Sequence, residues 1–425
     1  MAFETIFTMD VSSIKYGVGA TREVGGDMAA LGTKRVMVLI DPNLRDSEAA
    51  AITLNALRAE GIDAVVYDQI RVEPSDASFK HAIQFATDGK FDGFVAVGGG
   101  STMDTAKAAN LYSTYPADFF DYVNPPIGRG IPVPGRLKPI ICIPTTAGTG
   151  SETTGVAIFD YKEMHAKTGI AHRALRPSLG ILDPENTRTM PKMIAASTGL
   201  DVLSHALESF TAIPYDRRPA PESPAKRPAY QGANPISDVW ASRAIQMVSQ
   251  NIVRATHDPE DDEARAQMLQ ASAFAGVGFG NAGVHLPHGM SYPVSSMVRS
   301  YVPEGVNSDH PIIPHGMSVI LNAPAVFRFT ASSSPERHLR AAELMGVDVR
   351  GAAPEDAGEI LANAIIDLMK KTGVPNGLSA IGFTPDDVDK LVEGTLPQHR
   401  VTKLSPRPAS ADDFRQLFQD SMVLW

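Results

Sequence analysis

Two domains in series are what this sequence predicts: an α/β domain over residues 1–190 and an all-helical domain over residues 191–425. Three observations carry that reading. Short apolar runs alternate with helical stretches through the first half, as in βαβ units. The strand signal disappears after about residue 190, at the turn-rich LDPENTRTMP (182–191). The length, 425 residues, suits more than one domain at roughly 150 residues each.

In order, the strand runs are VMVLID (36–41), AVVYDQI (64–70), FVAVGGGS (94–101), PIICIPTT (139–146), GVAIFD (155–160) and SLGILD (178–183). Helical stretches at about 46–60, 75–89 and 102–111 separate the first four. Strands so uniformly apolar are expected to be covered on both faces, which gives a Rossmann-like, largely parallel sheet. Beyond residue 190, helices are predicted near 191–213, 237–255, 261–282, 315–331, 334–346, 354–373, 385–395 and 410–423. Residues 214–235 hold six prolines and cannot form one helix; they read as an inserted loop or lid.

Composition narrows the function. Lys plus Arg minus Asp plus Glu is 38 − 48 = −10, which disfavours nucleic acid and anionic membrane as partners. The one cysteine, Cys142, permits neither an intrachain disulfide nor a cysteine zinc cluster. The opening MAFETIFTMD has no basic region ahead of an apolar stretch, so the expected compartment is the cytoplasm. Residues 266–298 carry no Asp, Glu, Lys or Arg. Their glutamines, histidines and prolines argue for a buried helix running into a polar cavity, not a membrane span.

VAVGGGSTMDTAK (95–107) runs from strand through three glycines into a helix. Gly98, Gly99 and Gly100 allow close backbone approach to a ligand. Ser101 and Thr102 are candidate caps for a helix whose N-terminus suits a phosphate. Asp104 follows in the same turn. The second glycine-rich turn, PTTAGTGSE (144–152), offers Thr145 and Thr146. Asp41 ends the first strand run, where a carboxylate can accept from ribose hydroxyls and repel a 2′-phosphate, favouring NAD over NADP. Together these point to a nucleotide-binding half.

Four of the eleven histidines, His285, His288, His310 and His315, fall within 31 residues. A fifth, His205, lies four after Asp201 on a predicted helix, so both side chains leave one face. A carboxylate with three imidazoles suits Fe²⁺ or Zn²⁺.

Taken together, GGGSTMDTAK, PTTAGTGSE, GLDVLSHALES, HGMSYP and PHGMSVILNAP resemble the iron-containing (group III) alcohol dehydrogenases, in order over almost the whole chain. That resemblance implies a dehydroquinate synthase-like architecture, NAD, and a metal held by Asp201, His205, His288 and His315. His285, three before His288, leaves open which of the two faces the metal. The family pattern HxMxHP reads HGMSYP here, so Tyr292 replaces a second histidine; Tyr292 or His285 is then the candidate proton relay. The Pro-rich insertion and the C-terminal SPRPASADDFRQLFQDSMVLW are similar to a branch that passes hydride from 4-hydroxybutyrate to 2-oxoglutarate. Both substrates are carboxylates, and Lys167 is the leading candidate to bind them, ahead of Arg217 and Arg218. The resemblance also implies a homo-oligomer. The alternatives are an ordinary NAD-dependent dehydrogenase for 4-hydroxybutyrate or another primary alcohol and, more remotely, a non-catalytic metal- or nucleotide-binding sensor.

Overall fold

A computed structural model describes residues 2–164, 166–308 and 310–425; Asp309, in the stretch DHPIIPHG, lies outside the described residues. Two compact units divide the chain, one spanning Asp10–Met190 and the other Pro191–Trp425 with the residues up to Met9. The opening segment, read from sequence as part of the α/β domain, therefore clusters with the helices. Its Glu4 N–H donates to the Arg218 carbonyl at 2.8 Å, and the Gln231 amide donates to the Thr8 carbonyl at 3.0 Å.

The α/β unit contains β1 (Ser13–Tyr16), α1 (Val24–Ala30), β2 (Arg35–Ile40), α2 (Glu48–Ala59), β3 (Asp63–Tyr67), α3 (Asp76–Gly89), β4 (Gly93–Gly98), α4 (Gly100–Thr114), β5 (Ile140–Pro144), β6 (Val156–Tyr161), β7 (Ala166–Ala171) and β8 (Leu179–Leu182). Six strands pair in parallel in the order β1-β8-β5-β4-β2-β3. Side chains alternate across the strands, so Val36, Val38, Val95 and Val97 pack on one face with Val24 and Leu57. Met37, Leu39, Phe94 and Ala96 pack on the other with Ala82 and Met103. Burial on both faces is why these runs show no polar alternation. The run 155–160, expected in the main sheet, instead forms the antiparallel pair β6-β7. The amphipathic β1 and β7 carried no comparable apolar run.

The helical unit contains α5 (Lys192–Thr211), α6 (Pro235–His257), α7 (Asp262–Ala282), α8 (Leu286–Ser296), α9 (His315–Ile320), α10 (Ala323–Thr330), α11 (Pro335–Leu344), α12 (Ala357–Thr372), α13 (Val388–Thr395), α14 (His399–Thr402) and α15 (Ala411–Asp420). The expected helix 315–331 breaks at Leu321–Asn322, ahead of Pro324. The sequence reading missed α8 because of its two prolines. Pro287 occupies the first turn, where no N–H is needed; Pro293 lies inside and packs where Gly394 leaves room. The insertion 214–235 is pinned in place. Pro214 bridges to Ala233, and Arg227 pairs with Glu4 at 3.1 Å. Among the described residues no helix is long and apolar enough to cross a membrane.

Candidate metal centre and nucleotide loops

Helix α5 is buried from Gly199 to Thr211, so its polar side chains must find partners inside the protein. Asp201, His205 and Glu208 fall on one face at i, i+4 and i+7. Helix α8 brings His288 to that face and α9 brings His315. Ligand atoms of Asp201, His288 and His315 lie within 4.8 Å of one another. His205 stands beside this group: its Nε2 is 3.9 Å from Asp201 Oδ1. Its ring stacks between Phe279, at 4.0 Å, and His288, at 4.6 Å.

Two glycines make this convergence possible. A Cβ on Gly316 would sit 2.1 Å from the Ser197 carbonyl oxygen and 2.6 Å from Asp201 Cβ, so only glycine lets α9 approach α5 this closely. Ser197 Oγ then accepts from Met317 N–H at 2.9 Å. A Cβ on Gly289 would meet Thr402 Cγ2 at 2.7 Å, so α14 lies against α8. Both His-Gly pairs of the sequence are packing devices as well as candidate ligand positions.

Glu208, fully buried, is the residue that sequence reasoning missed. Its Oε1 accepts from His288 Nδ1 at 2.6 Å, and its Oε2 accepts from His285 N–H at 2.7 Å. Burial opposes protonation of His288, but the Glu208 charge and hydrogen bond, with Asp201, carry its pKa above the ordinary value. With Nδ1–H committed to Glu208, Nε2 is the ring atom left for a ligand. That Nε2 is buried and makes no hydrogen bond, and it lies 3.7 Å from Asp201 Oδ1, beyond hydrogen-bond range. Two ligand atoms held so fit a shared cation. A carboxylate behind a ligating imidazole is the usual support for such a site.

His285 is placed elsewhere. It caps α8 and its Nε2 pairs with Thr211 Oγ1 at 3.0 Å, at the far end of α5 from Asp201. Burial pushes its pKa down to about 4. The ambiguity between the two histidines is thus resolved toward His288 as the one facing Asp201. His310 lies in the segment before α9, outside the ligand group. Tyr292, one turn after His288 on α8, accepts a hydrogen bond from Arg400 Nη2 at 2.9 Å.

In the α/β unit, the C-terminal ends of β2, β4 and β5 are adjacent, which is where ligands of such sheets bind. Asp41 follows β2, and its N–H donates to the Val97 carbonyl at 3.3 Å; its Oδ1 accepts from Asn43 N–H at 2.9 Å. Thr145 N–H donates to the Gly98 carbonyl at 3.1 Å, and a Cβ on Gly99 would meet Thr146 Oγ1 at 3.3 Å. The structure thus gathers Asp41, Gly98–Ser101 and Thr145–Thr146. The cap of α4 is Gly99, with no side-chain acceptor, not Ser101 or Thr102 as expected. The Thr102 and Met103 N–H groups donate to the Gly99 carbonyl, and no side chain caps those of Gly100 and Ser101, which suit an anion.

Asp104 and Lys167 do not have the surroundings expected of them. Asp104 accepts from Ser151 Oγ at 2.7 Å and Ile158 N–H at 2.9 Å. It lies 3.8 Å from the fully buried Lys107, whose Nζ also donates to Ser151 and to the Val156 carbonyl. That network ties α4 to the second glycine turn rather than reaching outward. Lys167, expected to await a carboxylate, is buried against Glu73 with Asp160 at 4.0 Å; its charge is already answered. Arg217 is exposed, and Arg218 is only partly buried.

The model of iron-containing alcohol dehydrogenases matches residues 12–184, and that of the Fe-containing alcohol dehydrogenase family C-terminal region matches residues 229–422. The chain belongs to the iron-containing alcohol dehydrogenase family. It is 55% identical over 421 residues, 99% of this chain and 90% of the relative, to a mitochondrial hydroxyacid-oxoacid transhydrogenase of Bos taurus. Among solved structures, 1,3-propanediol oxidoreductase superposes with a TM-score of 0.86 at 27% identity, covering 98% of this chain and 100% of that one. Sulfoacetaldehyde reductase from Bifidobacterium kashiwanohense, solved in complex with NAD+, gives 0.81 at 26%, covering 99% and 100%. Family membership makes the chain an oxidoreductase acting on CH–OH groups, served by NAD and a metal ion. The cytoplasmic expectation is overturned, because the similar transhydrogenases are mitochondrial.

Proposed function

We propose that this chain is a hydroxyacid–oxoacid transhydrogenase, taking hydride from 4-hydroxybutyrate and giving it to 2-oxoglutarate through NAD. The observation that carries this is 55% identity over 99% of the chain to a relative of that name, against 27% to the diol oxidoreductase. We assign the metal to Asp201, His205, His288 and His315, and take it to be Fe²⁺, with Zn²⁺ the alternative the same donors accept.

When bound, the metal would polarise the substrate oxygen and NAD would accept and return the hydride. The chain's own contribution is orientation and field. Glu208 fixes the His288 tautomer and turns Nε2 toward Asp201. Asp201 sets a negative charge among three imidazoles, and Phe279 holds the His205 ring plane. Asp41 addresses the ribose, Gly98–Ser101 and Thr145–Thr146 the pyrophosphate, and Asp104 acts behind them by holding the two loops together. Tyr292 presents its hydroxyl one turn from His288, where it can hand on a proton; His285, buried and neutral, serves to start α8. A homo-oligomer is supported by the sheet edge: Val11, Ile14, Tyr16 and Val18 stay exposed on and around β1, a strand with one unpaired side.

The test is protein prepared anaerobically with no added nucleotide and supplied with 4-hydroxybutyrate and 2-oxoglutarate. Formation of 2-hydroxyglutarate is expected. Steady NADH release with added NAD⁺, and no coupled product without it, would instead make the chain an ordinary dehydrogenase. In the same assay Asp201→Ala is expected to lose metal and activity together.

A further inference from the structure

One half-buried cation in the helical unit has no carboxylate beside it. Arg400, on α14, donates from Nη2 to the Tyr292 hydroxyl at 2.9 Å, and its guanidinium carbon stands 5.1 Å over the Tyr230 ring. Nη1 is buried and makes no hydrogen bond. Three other arginines of this unit have carboxylates: Arg337 has Asp238 at 2.7 Å, Arg227 has Glu4 at 3.1 Å, and Arg299 has Asp387. Among the described residues no carboxylate comes within 4 Å of Arg400. A guanidinium whose Nη1 is buried without a hydrogen bond is incompletely compensated. It has the fork geometry that fits a carboxylate.

The position of this cation matters as much as its chemistry. Tyr292 and His288 are four apart on α8, so they share a face about 6 Å apart along the axis. Arg400 is hydrogen-bonded to the first. The glycine at 289 lets α14 lie there at all. Tyr230 arrives from the Pro-rich insertion, where Arg227, three residues earlier, is pinned by Glu4.

We infer that Arg400 holds the distal carboxylate of the substrate while the reacting carbon sits at the Asp201–His288–His315 group, Tyr292 and Tyr230 positioning the guanidinium. This inference rests on the transhydrogenase reading and adds to it a reason for the pairing of substrates. In 4-hydroxybutyrate the carbinol carbon and the carboxylate are three carbon–carbon bonds apart. In 2-oxoglutarate the keto carbon and the far carboxylate are also three bonds apart, about 4 Å at 1.5 Å per bond allowing for bond angles. One cation at one distance from the reacting position therefore serves both halves of the exchange, and the two substrates can take turns in a single site.

The experiment compares metal-loaded wild type with Arg400→Gln and Arg400→Lys, each checked for metal content and melting temperature. Glutarate, an unreactive dicarboxylate, is titrated calorimetrically, and kcat/KM is measured for 4-hydroxybutyrate and for uncharged butan-1-ol. Glutarate binding is expected to weaken about tenfold to hundredfold in Arg400→Gln. The preference for 4-hydroxybutyrate over butan-1-ol should fall by a similar factor, and Arg400→Lys should recover part of both. Unchanged glutarate affinity, or equal losses on the charged and neutral alcohols, overturns the assignment while leaving the transhydrogenase reading intact. If wild type itself exchanges hydride between no hydroxyacid and oxoacid, that reading fails, whereas calorimetry of glutarate still decides whether Arg400 is a carboxylate site. A variant that fails to fold is replaced by Tyr292→Phe, expected to weaken glutarate binding several-fold with metal content unchanged; no weakening there counts against the inference.

Discussion

Glu208 orients His288, a proposed metal ligand, through its buried carboxylate. Both of its oxygens accept: Oε1 from His288 Nδ1, Oε2 from the His285 N–H. In Glu208→Gln one of those donors must face an amide NH₂, because glutamine has a single acceptor oxygen. The shape is kept and the orienting charge is lost. Metal affinity, measured by chelator competition, is expected to fall about 10- to 100-fold with the circular dichroism spectrum unchanged. Wild-type affinity in this variant would mean that the His288 ring is held by packing alone. The position was hidden in the sequence for a simple reason. A glutamate in a helix is ordinarily a solvated residue, and only the burial of α5 on every side turns it inward. Lys167 failed in the opposite way: its partner Glu73 is 94 residues away, a pairing that no local pattern signals.

At the scale of elements, the ligand set depends on how closely helices approach. Gly316 has no space for a side chain, since the atom its Cβ would strike is the Ser197 backbone carbonyl, which cannot rotate aside. Gly316→Ala must push α9 away from α5, moving His315 with it. A loss of about 1–3 kcal/mol in unfolding free energy is expected, measured by urea denaturation, together with weakened metal binding. An alanine variant as stable as wild type would show that α9 is free to shift. The Asp201–His205 spacing was legible because a helix converts four residues of sequence into one turn of space. The strands β2, β4 and β5 were legible because burial on both faces leaves an uninterrupted apolar run. Helix α8 was not, since Pro287 and Pro293 read as breakers unless the turn position and the space left by Gly394 are known. The contact of Tyr292 with Arg400 spans 108 residues and depends on Gly289, so it too could be read only from the fold.

For the molecule as a whole, the proposed metal ligands and the proposed nucleotide loops lie in different units, and removal of each group should leave separate marks. The proposed ligands come from α5, α8 and α9, segments far apart in the chain, so an ion joining them closes long loops that are otherwise held by packing and a few buried hydrogen bonds. A ligand that binds only the folded form adds stability in proportion to the logarithm of its concentration over its dissociation constant, and hydrogen exchange reports where. Chelation is expected to speed amide exchange in α5, α8 and α9 by at least tenfold, with β2, β4 and β5 unchanged. Adding NADH should instead slow exchange at residues 98–102 and 145–149, at the strand ends where Asp41, the glycine run and the threonines meet. Chelation that accelerated the sheet amides as much as the helices would place the ion's contribution outside the Asp201–His288–His315 group, and protection by NADH confined to the helical unit would remove the glycine loops from the cofactor site.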